Sequence, residues 1–227
     1  PQGGGSCLYN GDVYLGGENG ISDTYSKVII AHELGHAYQL ALTGLPQLTY
    51  GVPASEPLCL CDHVTGPAGN KYHCLQSRHQ GVAIIEGFAH YFAARTFNNP
   101  AEYDCVFPYY KEFLTSGGIQ PPPYVVDCTA QTKWMEGQCP VATSHGVEMD
   151  WMQFFWALMK PVADATTMAD LDAIHNLACG GPCVSTGINA NNILYDDLRG
   201  AAQTHYGAGS AKQQFFTAKA GEHGVNH

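Results

Sequence analysis

Apolar residues gather in helical-length runs separated by proline-, glycine- and cysteine-rich tracts, and the first run carries the chain's most informative residues. Ser26-Lys27-Val28-Ile29-Ile30-Ala31 leads into His32-Glu33-Leu34-Gly35-His36, and Ala37-Tyr38-Gln39-Leu40-Ala41-Leu42 leads out. The pattern predicts a helix with Asp23 or Ser26 as N-cap, stopped by Gly44 and Pro46. A second, strongly apolar run over 82–97 ends at Asn98-Asn99-Pro100, and Pro100 opens a further helical turn interrupted at Pro108. An aromatic-rich helix is predicted over 147–160, stopped by Pro161. Another follows over 168–178, capped by Thr166 or Thr167 and closed by Gly180. Helices over 191–206 and 211–220 complete the set, the last with Ser210 as N-cap.

The polar and broken tracts add little regular structure. Cys7-Leu8-Tyr9 and Asp12-Val13-Tyr14-Leu15-Gly16 flank Asn10-Gly11, a hairpin turn pair, and predict one or two short strands. Val13-Tyr14-Leu15 reads either as an ordinary strand or as an edge that pairs with an extended substrate backbone. The tract 45–81 carries Pro46, Pro53, Pro57 and Pro67 with Cys59, Cys61 and Cys74, and loops of that length commonly form rims or lids. Its Cys59-Leu60-Cys61-Asp62-His63 and His73-Cys74 match no standard zinc-module spacing, which favours a disulfide-pinned loop over a second, structural zinc site. Gly117-Gly118 and Pro121-Pro122-Pro123 mark loop on the way to Thr143. No internal repeat is evident, and the sum predicts a mainly helical α+β fold.

Composition narrows the partners. The 227 residues are enough for one well-buried core, so a single domain over 1–227 is expected. Ten Lys and Arg against 20 Asp and Glu, with no basic run to neutralise phosphates, argue against nucleic acid as a partner. No stretch approaches the roughly 20 apolar residues that span a bilayer, so no membrane span is expected. Nine cysteines scattered along a chain with only 13 % charged residues suit an oxidising compartment, and predict a secreted protein with several disulfides. The odd cysteine is left to a removed segment, a second chain or a free thiol. Pro1-Gln2-Gly3-Gly4-Gly5 is not a signal peptide, and the expectation is a processed or trimmed form, a removed propeptide being one way to reach it.

The candidate chemistry lies in the first two helices. Residues four apart share a helix face, so His32 and His36 can offer two imidazole nitrogens to one Zn2+, with Glu33 beside the water that ion carries. The rival reading is a pair of core histidines, but buried polar groups left without partners cost about 1–3 kcal/mol each. A catalytic zinc needs a third protein ligand. The metzincin continuation requires a glycine and a histidine where this chain has Gln39 and Leu42, so that branch fails. Glu86, in Ile84-Ile85-Glu86-Gly87-Phe88-Ala89-His90, is the better candidate, because an ionised carboxylate in so apolar a helix needs a cation; the alternative is a solvent-exposed Glu86. His90 lies one turn further on the same face, where it would hydrogen-bond a ligand, shape the pocket or replace Glu86.

With these residues in view the chain resembles the gluzincin metallopeptidases. Glu86-Gly87-Phe88-Ala89 is similar to the N-E-G-F-A glutamate helix of that group's zinc aminopeptidases, with Ile85 in place of Asn. The resemblance implies a zincin-like fold with a cleft between two parts: a small β-containing upper part, about 1–44, and a helical lower part, about 82–227, with 45–81 as an insertion. It implies His32, His36 and Glu86 as zinc ligands and Glu33 as general base. The aminopeptidases' G-x-M-E-N sequence is absent, which favours endopeptidase action. Relatives often place a Tyr just before a Gly that opens a helix; here Thr143 precedes Ser144-His145-Gly146-Val147, leaving His145 as candidate transition-state stabiliser, with Tyr124, Tyr195 and Tyr206 as others. The expected function is a secreted zinc metallopeptidase acting on a peptide or protein substrate. A zinc-dependent amidase or other non-peptide hydrolase, and a catalytically silent binding module, are the alternatives.

Overall fold

The computed structural model describes residues 7–9, 12–14, 17–18, 21–22, 27–43, 80–97, 148–179 and 193–226. Four strands come first: β1 (Cys7–Tyr9), β2 (Asp12–Tyr14), β3 (Gly17–Glu18) and β4 (Ile21–Ser22). Six helices follow among the described residues: α1 (Lys27–Thr43), α2 (Gln80–Phe97), α3 (Glu148–Leu158), α4 (Met168–Ala178), α5 (Tyr195–Tyr206) and α6 (Ala211–Glu222).

The architecture corrects the α+β expectation: the described protein is mainly helical. Its β structure amounts to two separate two-stranded ribbons, β1 with β2 and β3 with β4, both antiparallel. Leu8 pairs with Val13 in the first ribbon, while Asn10 and Gly11 lie outside the described residues. Ribbons of two and three residues a strand cannot form a layer with a buried face, and a β-containing upper part does not arise from them.

The core is built on α2, which packs against α1 on one side and α3 on the other. Phe88 sits at the centre, stacked parallel to Tyr38 at 6.2 Å between ring centroids and edge-on to Phe155 at 5.5 Å. Trp151, Phe154 and Phe155 continue this aromatic layer towards Phe216 of α6. Two glycines set the helix spacing. A Cβ at Gly35 of α1 would lie 2.9 Å from the Ala89 Cα, and one at Gly87 of α2 would lie 2.7 Å from the Glu148 carbonyl oxygen and run into the Trp151 side chain. Both helices therefore touch α2 through backbone.

The later helices are fixed by their caps. Thr167 and Asp170 form a reciprocal capping box at the start of α4, and the Ser210 hydroxyl accepts from the Gln213 N–H at the start of α6. α5 opens at Tyr195, later than the predicted 191, because the Asp197 carboxylate accepts the Leu194 N–H and makes Leu194 the N-cap. Tyr195 then donates its backbone N–H to the Gln80 side chain, tying α5 to the first residue of α2. Cys179, buried just beyond α4, is disulfide-bonded. Among the described residues no helix is long and apolar enough to cross a membrane. The tract around Cys59 to Cys74 and the predicted turn after Pro100 lie outside the described residues.

Candidate metal centre

The close approach of α1 and α2 at Gly35 decides what happens one turn away. His32 and His36 project from one face of α1, and Glu86 meets them from α2. The His32 and His36 Nε2 atoms are 3.1 Å apart, and the Glu86 Oε2 lies 3.1 Å from the first and 3.5 Å from the second. Three donors thus converge as a nearly equilateral triangle. In a tetrahedral zinc site with bonds of about 2.0–2.1 Å, neighbouring donors are about 3.3–3.4 Å apart. The spacing and the donor set, two imidazoles and a carboxylate, both fit Zn2+.

The electrostatics fit as well. Burial drives the His32 imidazole down to about 3, with nearby His90 adding to the effect, so His32 is neutral as a metal ligand must be. Burial also opposes ionisation of Glu86, but the surrounding His36 and His32 overcome it and hold the carboxyl well below its usual range. At His36 burial pulls down while the Glu86 charge pulls up, and the net direction is up. A buried carboxylate here calls for compensating positive charge, and the Glu86 charge shifts His36 towards its protonated form. Nδ1 of His32 and Nδ1 of His36 are buried without a hydrogen-bonding partner among the described residues.

Access is one-sided. His36 is buried with its side chain 3 % exposed, whereas His32 and Glu86 are 13 % and 20 % exposed, so solvent reaches the cluster from their side. Glu33, next to His32 in sequence, is buried, and its charge is felt at His36.

His90 completes the cluster. Its ring centroid lies 4.3 Å from that of His32, and ligand atoms of His32, Glu86 and His90 all lie within 4.8 Å of one another. Two overlapping triads therefore exist, and the one through His36 is the tighter, with all its edges at 3.5 Å or less. Burial lowers the His90 imidazole to about 4. Its Nε2 lies 3.8 Å from Oε1 of Glu148, a buried carboxylate in the first turn of α3.

The structure thus brings together His32, His36, Glu86 and His90, with Glu33 adjacent in α1. His145 and Tyr124 lie outside the described residues. Tyr206 spends its hydroxyl on Thr166, and Tyr195 is buried at the α5 start. Glu148 was not among the expected site residues. An acidic residue in a helix's first turn reads as a partner of the helix dipole, which hides it, although it is as improbable in an apolar run as Glu86. Compared with known proteins, the chain matches no family model, no curated protein sequence and no solved structure.

Proposed function

We propose that this protein is a secreted zinc metallopeptidase of the gluzincin type, cleaving peptide bonds within a chain. The observation that carries the reading is the convergence of His32 Nε2, His36 Nε2 and Glu86 Oε2 at 3.1–3.5 Å on a partly open face, with Glu33 beside them on α1. A zinc ion held there would lower the pKa of a bound water towards about 7 and polarise the scissile carbonyl. His32 and His36 would hold it as neutral imidazoles, and Glu86 would supply the negative charge of the third ligand. Glu33 takes the proton of the attacking water and passes it to the leaving amine. His145 is the proposed donor to the developing oxyanion. The extracellular setting is supported by the nine cysteines.

The test compares the zinc-loaded protein with Glu33→Gln on a diverse peptide mixture read by mass spectrometry. General-base catalysis contributes about 10²–10⁴-fold, so the variant should retain zinc and lose activity by that order. Equal cleavage by both proteins would remove Glu33 from the mechanism, and no cleavage by the zinc-loaded wild type would remove peptidase function.

A further inference from the structure

A hydrolytic zinc site of three ligands uses two histidines and Glu86, yet the cluster holds a third histidine and a second buried carboxylate that this chemistry leaves idle. His90 is buried at 6 % exposure and Glu148 at 4 %, in the core beside the cluster. Two buried ionisable side chains from different helices need compensating partners, and these two lie within reach of each other.

Their placement is specific. His90 follows Glu86 by one turn of α2, so both face α1, and its ring packs against that of His32 at 4.3 Å. A ring nitrogen of His90 lies within 4.8 Å of the donor atoms of His32 and Glu86. Glu148 lies beside it, its Oε1 at 3.8 Å from His90 Nε2. The pairing exists because Gly87 carries no side chain: α3 comes down onto α2 at that residue, with the Glu148 carbonyl oxygen 2.7 Å from where a Cβ would be. Metal-bound histidines are characteristically backed by a carboxylate that orients the ring and raises its basicity. His90 thus has near it a carboxylate, Glu148, other than the Glu86 that faces His32 and His36.

The geometry points to His90 as a fourth protein donor to the metal, with Glu148 as its positioning residue; this rests on the zinc reading of the His32, His36 and Glu86 triangle. The site is then a three-histidine, one-glutamate set. His90 competes with solvent for the position that a three-ligand zinc leaves open, so the Glu148 pair governs how readily that position becomes free.

The experiment uses the full chain, stripped with a chelator and reloaded with Zn2+ or Co2+. Zinc affinity is read by competition with a chromogenic chelator, and coordination by the visible absorption of the cobalt form. The variants are His90→Ala and Glu148→Gln, with folding followed by circular dichroism. Loss of a donor or of its carboxylate support should weaken zinc binding about 10–100-fold. His90→Ala should also change the cobalt spectrum, and added imidazole should restore it by occupying the vacated space. Glu148→Gln should weaken binding less and keep a wild-type spectrum. Unchanged affinity and spectrum in His90→Ala overturn the fourth donor and leave the three-ligand site standing. Weaker binding with a wild-type spectrum and no response to imidazole also overturns it, since that is the behaviour of a packing residue. If the wild-type chain takes up neither metal, the zinc reading itself falls, and this inference with it.

Discussion

Asp170 shows how much one exposed-looking carboxylate can organise. Its Oδ2 accepts from the Thr167 N–H at 2.9 Å and hydroxyl at 2.8 Å and from the Lys212 ammonium at 3.2 Å, while Oδ1 meets the His205 Nε2 at 2.8 Å. Partial burial pushes the carboxyl up, but the His205, Thr167 and Lys212 hydrogen bonds outweigh it and hold Asp170 well below the ordinary carboxylate range. A depressed folded-state pKa means that the stabilisation is fully present above the unfolded value, near 4, and disappears as pH falls through the folded value. Asp170→Asn should therefore cost about 1 kcal/mol in urea denaturation at pH 7. The difference from wild type should shrink progressively below about pH 4, and a gap that stays constant down to pH 2 would contradict this assignment. At the same scale, His32 and His36 were legible because the helix period puts residues four apart on one face, and Glu33 was read from its place directly after His32. Glu86 was legible as a charge in an apolar run. Glu148 obeyed the same logic and was hidden by its place at a helix start, and what makes it interesting, the approach of His90, is a tertiary fact.

Between elements the determining features are the absences of side chains at Gly35 and Gly87. Gly87→Ala places a methyl within 2.7 Å of the Glu148 carbonyl oxygen and against the Trp151 side chain, contacts that neither backbone nor a packed indole can yield without moving α3. Overpacking of this kind costs about 1–3 kcal/mol, outweighing the roughly 1 kcal/mol that Ala gains over Gly in a helix interior. The expected outcome is a net loss of stability in chemical denaturation, together with weaker zinc binding, because the same displacement carries Glu148 away from His90. A variant more stable than wild type would show that the α2 to α3 contact is loose. The helices themselves were largely readable from apolar periodicity and caps: 82–97 was predicted and Gln80–Phe97 found, 168–178 predicted and Met168–Ala178 found. Their partners were not readable. A glycine in a helix pattern signals a propensity cost, and only the neighbouring chain reveals that the missing Cβ is what the packing requires.

For the whole molecule, the α+β expectation failed where local signals were taken to imply a layer. β1 and β2 do pair antiparallel, but three-residue strands provide too little apolar surface to hold a sheet, and the described fold rests on helices packed around α2. That arrangement makes the proposed metal centre part of the helical core. Its proposed donors come from α1 and α2 alone, so a bound ion would join the two helices whose contact forms one side of the core, and would supply the positive charge that the buried Glu86 calls for. An ion that binds the folded chain at 100 times its dissociation constant adds about 2.7 kcal/mol of stability. In a chain of this size each kcal/mol moves the midpoint by about 2–4 °C, so chelation should lower Tm by roughly 5–10 °C. Re-addition of zinc should restore it, whereas magnesium, which prefers an octahedral oxygen shell, should not. The Glu86→Gln variant should melt at the same temperature with and without chelator. A wild-type Tm indifferent to chelator and to added zinc would mean that the triangle of donors is a proton-bridged core cluster, and the histidines would then be structural residues after all.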